Sequence, residues 1–198
     1  MVLALLAGAA IAAALYFALR GNGSSSTASN TTTAGTNGLN ALPGVRKTKA
    51  PWPPEYARLA DRLVPLNLTA NPQEQLAYHI HQHLDIFLNG KHISVPALIG
   101  INDNTYITEL HTHDASGVIH IEAAANKHYT LGSFFAEWGV YLDSRCVGAY
   151  CNGYTWYVNG KRRTGDPADL VLAPHQQIVI AIGKPPKKIP STYSWGGL

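Results

Sequence analysis

Alternation of apolar and polar residues marks several strands between residues 78 and 182. In Tyr78–Leu88 the histidines His79, His81 and His83 share one side with Asp85 and Phe87, and mostly apolar residues take the other. Side chains in a strand alternate between faces, so this segment predicts one long strand. Asn89-Gly90 then predicts a hairpin turn into a strand at Ile93–Pro96. The same patterns predict strands at Tyr106–His113, Val118–Glu122, Tyr154–Val158 (before a second turn at Asn159-Gly160) and Gln177–Ile182.

Helical patterns are fewer. Thr130 is a suitable N-cap for a short helix at Leu131–Trp138, and Gly139 is a suitable end. Residues 55–64 predict an amphipathic helix whose apolar stripe holds Tyr56, Leu59, Ala60 and Leu63. Strands, helix and strands in this order predict an α+β domain: a small mixed or antiparallel sheet with one short packed helix, in a β-grasp-like arrangement.

The N-terminus predicts a membrane anchor. Residues 2–19 contain no charge and no proline. As a helix they would extend about 27 Å, close to the roughly 30 Å of a bilayer's hydrocarbon core. The alternative is a cleaved signal peptide, but the basic n-region and the small residues of a cleavage site are missing. We therefore expect residues 1–20 to form a transmembrane anchor.

A polar segment follows the anchor. Apart from Leu39, residues 21–40 are Gly, Asn, Ser, Thr or Ala, and Pro51-Trp52-Pro53-Pro54 comes later. Such a stretch buries too little apolar surface to offset the entropy of ordering it. We predict a flexible linker at residues 21–54 and a folded domain at residues 55–198.

Charge argues against a nucleic-acid partner. The chain has 15 Lys and Arg against 12 Asp and Glu, and charged residues make up only 14%. Four of the basic residues and no acidic residue lie in residues 1–54, so the folded domain is close to neutral. Without a basic stripe the domain lacks the phosphate contacts that supply most nucleic-acid affinity. We expect no nucleic-acid partner.

The histidines of the domain occur in period-two groups. After H-x-H-x-H at His79, His81 and His83 come His111 and His113, and then His120 with Glu122. A four-residue turn at residues 114–117 would place His111 opposite His120 in a hairpin. It would also place Glu109, His111, His113, His120 and Glu122 on a single face.

Crowded imidazoles of this kind are typical of a metal site, because an ion offsets their lost burial and mutual repulsion. Histidine-rich sites suit copper and zinc, and we predict one of these as the cofactor. His92, His128 and His175 have no partner at this spacing and are interpreted as solvated or structural. The candidate ligands are His79, His81, His83, His111, His113, His120, Asp114 and Glu122.

The chain has two cysteines, Cys146 and Cys151, on either side of a four-residue loop. A disulfide between them would place the domain outside the cytoplasm, whereas the alternative is two free buried thiols. Arg20, the charge beside the anchor, favours a cytoplasmic domain by the positive-inside rule. The expected disulfide and the Ser/Thr-rich linker outweigh it, so we predict a periplasmic or cell-surface domain.

Several segments together resemble a known family. They are HIHQHLDIFLNGK, VPALIGI, LHTHDASGVIHIE and YTLGSFFAEWGV, with VNGK and IPSTY later in the chain. Across roughly residues 55–193 the chain resembles an uncharacterised prokaryotic family of membrane-anchored proteins with a histidine-rich extracytoplasmic domain. The resemblance implies the histidine cluster and supplies no activity.

Three functions fit these patterns. The first is a membrane-anchored domain outside the cytoplasm that holds or delivers copper or zinc. The second is a His-ligated metalloenzyme, with Glu122 or Asp114 as a base or as a partner that orients an imidazole. The third is an accessory subunit of a membrane protein complex with a structural metal site. The first requires only the histidine cluster and the tether, and we take it as the leading hypothesis.

Overall fold

The computed structural model describes residues 36–102 and 105–198. Within these ranges the helices are α1 (Thr36–Leu39), α2 (Leu59–Leu63) and α3 (Leu131–Trp138), with a 3-10 turn at Pro167–Asp169. The strands are β1 (Ala70–Asn71), β2 (Tyr78–Leu88), β3 (Lys91–Ile93), β4 (Ile101–Asn102), β5 (Tyr106–Thr108), β6 (Leu110–His111), β7 (Val118–Ala123), β8 (Cys146–Val147), β9 (Tyr150–Cys151), β10 (Tyr154–Val158), β11 (Lys161–Arg163) and β12 (Gln177–Ile182).

The main sheet is organised around the long strand β2. Its order is β11-β10-β12-β2-β7-β6, and β3 pairs with the C-terminal end of β2. β12 lies parallel to β2, while β7 runs antiparallel to it from Tyr78 to His83. Two smaller sheets, β1-β5-β4 and β8-β9, stand apart from this order. The α+β class is confirmed, and the β-grasp-like arrangement stays a prediction.

Both predicted hairpin turns are confirmed. Asn89 and Gly90 have φ angles of 51° and 79° between β2 and β3, and Asn159 and Gly160 have 52° and 74° between β10 and β11. Two left-handed residues in succession match the twist of the flanking strands, and Asn-Gly accepts this conformation readily.

Helix α3 has the predicted bounds. The Thr130 hydroxyl accepts a hydrogen bond from the Ser133 amide at 3.1 Å, and Gly139 ends the helix with a φ of 82°. Nearly all its residues are buried. Its apolar side chains join one cluster with residues of β2, β7 and β12, namely Leu84, Ile86, Ile119, Ile121, Ile178 and Ile180. At about 1.5–3 kcal/mol for each large apolar side chain, this cluster is the main stabilising contribution to the fold.

Helix α2 is shorter than the predicted amphipathic helix and presents a different face. Leu59 and Leu63 are buried as expected, but Ala60 is exposed and Arg62 is fully buried. The Arg62 guanidinium donates hydrogen bonds to backbone carbonyls of Pro43, Glu55 and Glu137 and forms an ion pair with the Glu55 carboxylate. A buried charge is tolerated when it is paired and hydrogen-bonded in this way. The positions of apolar residues alone therefore did not predict which face of the helix packs against the domain.

Part of the predicted flexible linker is packed against the domain. Trp52 is 2% exposed, and its ring meets that of Trp138 edge to face with centroids 6.0 Å apart. The Trp138 indole donates a hydrogen bond to the Trp52 carbonyl, and the Asn40 side chain bonds to both backbone groups of Leu142. The expectation of a flexible linker is therefore corrected for Asn40 and Trp52. The Trp52 ring is buried and the Asn40 amide is hydrogen-bonded, which the composition of the segment did not indicate.

The predicted anchor, residues 1–20, and the linker up to residue 35 lie outside the described residues. Among the helices of the described ranges, none has the length and apolar character needed to cross a bilayer.

Candidate metal centre

Three neighbouring strands of the main sheet bring the histidines together. His81 of β2 pairs with His120 of β7, and His120 pairs with His111 of β6. The pairing of His111 with His120 is the register that the turn length predicted. One row across the sheet therefore holds three imidazoles, and the next row pairs His79 with Glu122.

Two pairs of histidines approach each other through the same ring atom. In the first pair, the Nε2 atoms of His79 and His81 lie 3.0 Å apart. In the second pair, the Nε2 atoms of His111 and His113 lie 3.2 Å apart. Two nitrogen ligands at 2.0–2.1 Å from one tetrahedral ion are about 3.3–3.4 Å apart. Each pair is thus close to the spacing at which both rings share an ion.

Glu122 lies between the two pairs. Its Oε1 atom is 3.2 Å from Nε2 of His79 and 3.2 Å from Nδ1 of His120, and its Oε2 atom is 3.8 Å from Nε2 of His111. Oε2 is buried and has no hydrogen-bond partner among the described residues. Leaving a buried carboxylate oxygen without a partner is costly, and a cation at this position would remove the cost.

The charge state of Glu122 follows from the same contacts. Burial raises the pKa of its carboxyl, but the hydrogen bond from His120 and the charges of His111, His120 and His79 together bring the pKa below its ordinary value. The group is therefore a carboxylate near neutral pH, which is the form that binds a metal ion.

His111 presents a lone pair to the cluster. Its Nδ1 lies 2.8 Å from the Thr108 carbonyl, which can only accept, so Nδ1 carries the hydrogen and Nε2 does not. Burial lowers the pKa of His111 to about 3, so the ring is neutral at pH 7. A backbone carbonyl that fixes the tautomer of a histidine in this way is the usual support of a metal ligand.

His81 is neutral for a similar reason. Burial, followed by the nearby His120 and His79, lowers its pKa to about 4. Its ring meets that of His120 edge to face with centroids 4.5 Å apart. On its other side His120 meets the ring of His113 in the same manner, with centroids 4.4 Å apart. His120 therefore lies between the two pairs, beside Glu122.

Two overlapping sets of donors result. One donor atom from each member of a set lies within 4.8 Å of all the others. His79 and His113 are partly exposed, with 38% and 41% of their side chains accessible, and the other members are buried. Each set therefore combines buried ligands with a route from solvent. The sets are His79, His81, His120 and Glu122, and His111, His113, His120 and Glu122.

His83 and Asp114 lie outside both sets. His83 has both ring nitrogens bonded within the protein, Nδ1 at 3.1 Å from Gln177 Oε1 and Nε2 at 2.8 Å from the Ser116 carbonyl. Its ring also stacks on Tyr193, with centroids 3.9 Å apart. Asp114 is exposed, and its carboxylate accepts a hydrogen bond from the Ser116 amide across the turn. The side chains of His83 and Asp114 therefore form hydrogen bonds with other residues of the domain and belong to neither donor set.

Glu109 was expected on the face of the histidines, and in the structure its carboxylate has partners outside the cluster. Its carboxylate accepts hydrogen bonds from the Lys127 ammonium at 2.7 Å and from the Thr69 amide at 3.1 Å. The predicted strand Tyr106–His113 is divided at Glu109, because β5 pairs within the small sheet and β6 within the main sheet. The backbone of Glu109 still follows the register of β6 and β7, since the Glu122 amide donates a hydrogen bond to the Glu109 carbonyl at 2.9 Å. Its carboxylate is bound by Lys127 and the Thr69 amide and is therefore not a donor of either set.

Two features of the site have no signal in the sequence. Glu74, in an irregular segment, places its Oε1 atom 3.4 Å from Nε2 of His113. A cavity of about 510 Å³ lies beside His79 and His81 and is bounded by His175 and the C-terminal Leu198. His175 also stacks on Trp195, with centroids 4.7 Å apart. Both features depend on segments that no periodicity connects to the histidine strands.

The predicted disulfide is confirmed. Cys146 and Cys151 are joined across β8 and β9. These two are the cysteines of the whole sequence, so thiolate ligands are absent from the candidate centre.

The chain was also compared with known proteins. No protein-family model matches it. No curated protein and no solved structure matches it either.

Proposed function

We propose that this domain binds a transition-metal ion, copper or zinc, through the cluster of five histidines and Glu122. The observation that carries the proposal is Glu122 Oε2, a buried carboxylate oxygen that has no hydrogen-bond partner among the described residues and lies 3.8 Å from Nε2 of His111. The lone pair of His111 Nε2 points into the same space. A cation would satisfy both groups at once.

The donor set favours Cu(II) or Zn(II). Imidazole with one carboxylate suits both ions, whereas Cu(I) carriers rely on thioether and thiolate ligands. Met1 is the single methionine of the chain, and both cysteines form the disulfide. The available ligands therefore support a nitrogen- and oxygen-based site.

We further propose that the domain is anchored to a membrane and works outside the cytoplasm, where it holds or delivers the ion to a membrane protein partner. The apolar residues 2–19 and the polar residues that follow support an anchor with a tether. The disulfide supports an oxidising compartment. Exposure of His79 and His113 supports exchange of the ion with a partner.

Calorimetry tests the binding function directly. The full chain, purified in detergent and stripped with a chelator, is titrated with Cu(II) or Zn(II). We expect stoichiometric uptake, and we expect His81→Ala combined with His111→Ala to abolish it. The matched control combines His92→Ala with His128→Asn, two exposed histidines outside the cluster, and should bind as the unmodified chain does. Asn is chosen because residue 128 has a φ of 57°, which Asn tolerates.

The proposal would be contradicted if the unmodified chain took up no metal. It would also be contradicted if the cluster variant took up as much metal as the control variant. Circular dichroism of both variants shows whether lost binding comes from lost ligands or from a lost fold.

A metalloenzyme is the second candidate, and the cavity beside His79 and His81 favours it. Its volume of about 510 Å³ is within the range of small-molecule sites. A zinc ion bound there would lower the pKa of a coordinated water to about 7. The metal-loaded chain should then turn over an ester, a phosphate, carbon dioxide or an oxidant. Binding without turnover of any of these leaves the holding or delivery function.

A further inference from the structure

The two oxygens of Glu122 face different pairs of histidines. Oε1 lies 3.2 Å from His79 of the first pair, while Oε2 lies 3.8 Å from His111 of the second pair. A carboxylate can give its two oxygens to two different ions without any change in its charge. An imidazole can bridge two ions only after it has lost both ring protons. Glu122 is therefore the residue of this cluster best suited to act as a bridge.

The number of donors exceeds what one ion uses. Zinc in proteins takes four ligands in most structural sites. Here five imidazoles and one carboxylate with two oxygens converge, and both four-residue sets reuse His120 and Glu122. The first pair and the second pair each contain a buried histidine and a partly exposed one. The arrangement repeats itself on either side of His120 and Glu122.

A single ion leaves one half of the cluster unsatisfied. If one ion lies at the first pair, His111 Nε2 and Glu122 Oε2 remain 3.8 Å apart. Both are acceptors, since the His111 hydrogen is on Nδ1 and is donated to Thr108. A hydrogen bond from His113, whose Nε2 is 3.2 Å from that of His111, could satisfy the histidine but not the Glu122 oxygen. A second cation between these groups satisfies both.

We propose that the cluster is a two-ion centre in which Glu122 is the bridging ligand. The proposal rests on the metal-binding function proposed above. The first ion takes His79, His81, His120 and Oε1 of Glu122, which is a complete set of four. The second ion takes His111, His113 and Oε2 of Glu122. Its fourth position is left for water, which can enter beside the partly exposed His113.

Stoichiometry is the first test. The full chain in detergent is stripped, loaded with Zn(II), freed of excess metal and analysed for zinc and protein. We expect two zinc ions per chain. His79→Ala and His113→Ala remove exposed side chains and should each reduce the ratio to one. His92→Ala, also an exposed histidine, is the matched control and should leave it at two.

Magnetic resonance of the copper-loaded chain tests the bridge. Two-metal sites hold their ions about 3.5–4 Å apart, close enough for the spins of two Cu(II) ions to couple. We expect the integrated Cu(II) signal of the unmodified chain to fall below its copper content. The signal should equal the copper content in His79→Ala and in His113→Ala. Glu122→Gln, which cannot bridge as a carboxylate, should also give an uncoupled signal.

The outcomes separate this inference from the proposed function. One zinc ion per unmodified chain would overturn the two-ion centre and leave metal binding in place, whereas no bound zinc would remove both. A second ion that is lost in His92→Ala would belong to the surface and would overturn the inference. Two ions with a full, uncoupled copper signal would reject the bridging role of Glu122. Circular dichroism of each variant excludes unfolding as the cause.

Discussion

At the scale of single residues, His83 and His111 show how similar sequence positions lead to different roles. Both are buried histidines of the period-two groups. His83 has protein partners at both nitrogens, whereas His111 uses only Nδ1 for a backbone carbonyl and keeps Nε2 for the cluster. What the second nitrogen meets therefore separates a structural histidine from a candidate ligand.

Glu137 is a second buried residue whose protonation the structure defines. The Thr108 hydroxyl lies 2.5 Å from Glu137 Oε1 and 2.9 Å from the Leu110 carbonyl, yet it has one hydrogen to donate. A protonated Glu137 resolves this, because its carboxyl donates to the hydroxyl and the hydroxyl donates to the carbonyl. Burial is the main cause that raises the pKa of Glu137 to about 8, which agrees with a neutral carboxyl at pH 7.

Glu137 makes stability depend on pH in a direction that can be measured. Since its pKa is about 8 in the folded chain and 4.5 is its ordinary value, the folded chain holds a proton that the unfolded chain loses. The contribution is complete below pH 4.5 and is lost as the pH rises through 8, at up to about 1.4 kcal/mol per pH unit. Glu137→Gln keeps the shape and a donor without the titration.

The measurement is the free energy of unfolding in urea at pH 5.5 and at pH 8, for both chains. We expect the variant to gain stability relative to the unmodified chain at the higher pH. The other titrating groups cancel in this comparison. An equal difference at both pH values would contradict a raised pKa at Glu137.

At the scale of elements, local rules account for what the sequence predicted well. The Asn-Gly turns, the Thr130 cap and the bounds of β2 each depend on neighbouring residues, and the structure has them where predicted. The division between β5 and β6 could not be predicted in this way. It arises because β1 and β4 recruit β5 into another sheet, and these partners are distant in sequence.

In the candidate centre, too, contacts between nearby residues were predictable and contacts between distant segments were not. Turn length predicted that His111 would lie opposite His120, and the structure adds His81 to the same row. Local patterns could not predict that Gln177 and Ser116 would hydrogen-bond to the two ring nitrogens of His83, because Gln177 lies on the last strand of the chain. The division of the ligands into two pairs around Glu122 depends on how side chains lean, which strand periodicity does not specify.

The disulfide should affect the stability of the fold without affecting metal binding. Cys146 and Cys151 close a loop with a sequence separation of 5, for which the loss of chain entropy predicts about 2 kcal/mol of stabilisation. The double variant Cys146→Ser with Cys151→Ser should lower the free energy of unfolding by this amount. Metal affinity should be unchanged, because β8 and β9 belong to a different sheet from the histidine strands.

Urea denaturation and metal titration of this double variant test the two expectations separately. A loss of metal affinity with the fold intact would show that the β8–β9 hairpin supports the centre after all. Unchanged stability would show that the constraint on the unfolded chain is negligible.

At the scale of the whole molecule, an ion in the cluster would connect segments far apart in sequence. The candidate ligands come from residues 79–81, 111–113 and 120–122, on three adjacent strands of the main sheet and the segment just after β6. An ion that binds the folded chain alone stabilises it, by about 2.7 kcal/mol at a free concentration 100 times the Kd. Metal binding at this cluster would therefore be linked to folding.

This linkage predicts a metal-dependent melting temperature. We expect Zn(II) or Cu(II) to raise the Tm of the stripped chain in calorimetric scans, and excess chelator to reverse the change. The variant with His81→Ala and His111→Ala should show no increase. A rise of equal size in that variant would mean that the ion binds elsewhere.

The measurement that tests the central claim most directly is a crystal structure of the metal-loaded chain with data collected above and below the absorption edge of the ion. We predict anomalous density between the Nε2 atoms of His79 and His81 and Glu122 Oε1, and a second peak between His111, His113 and Glu122 Oε2. Density confined to surface residues, or its absence at full occupancy of metal in solution, would contradict the assignment of this cluster as a metal centre.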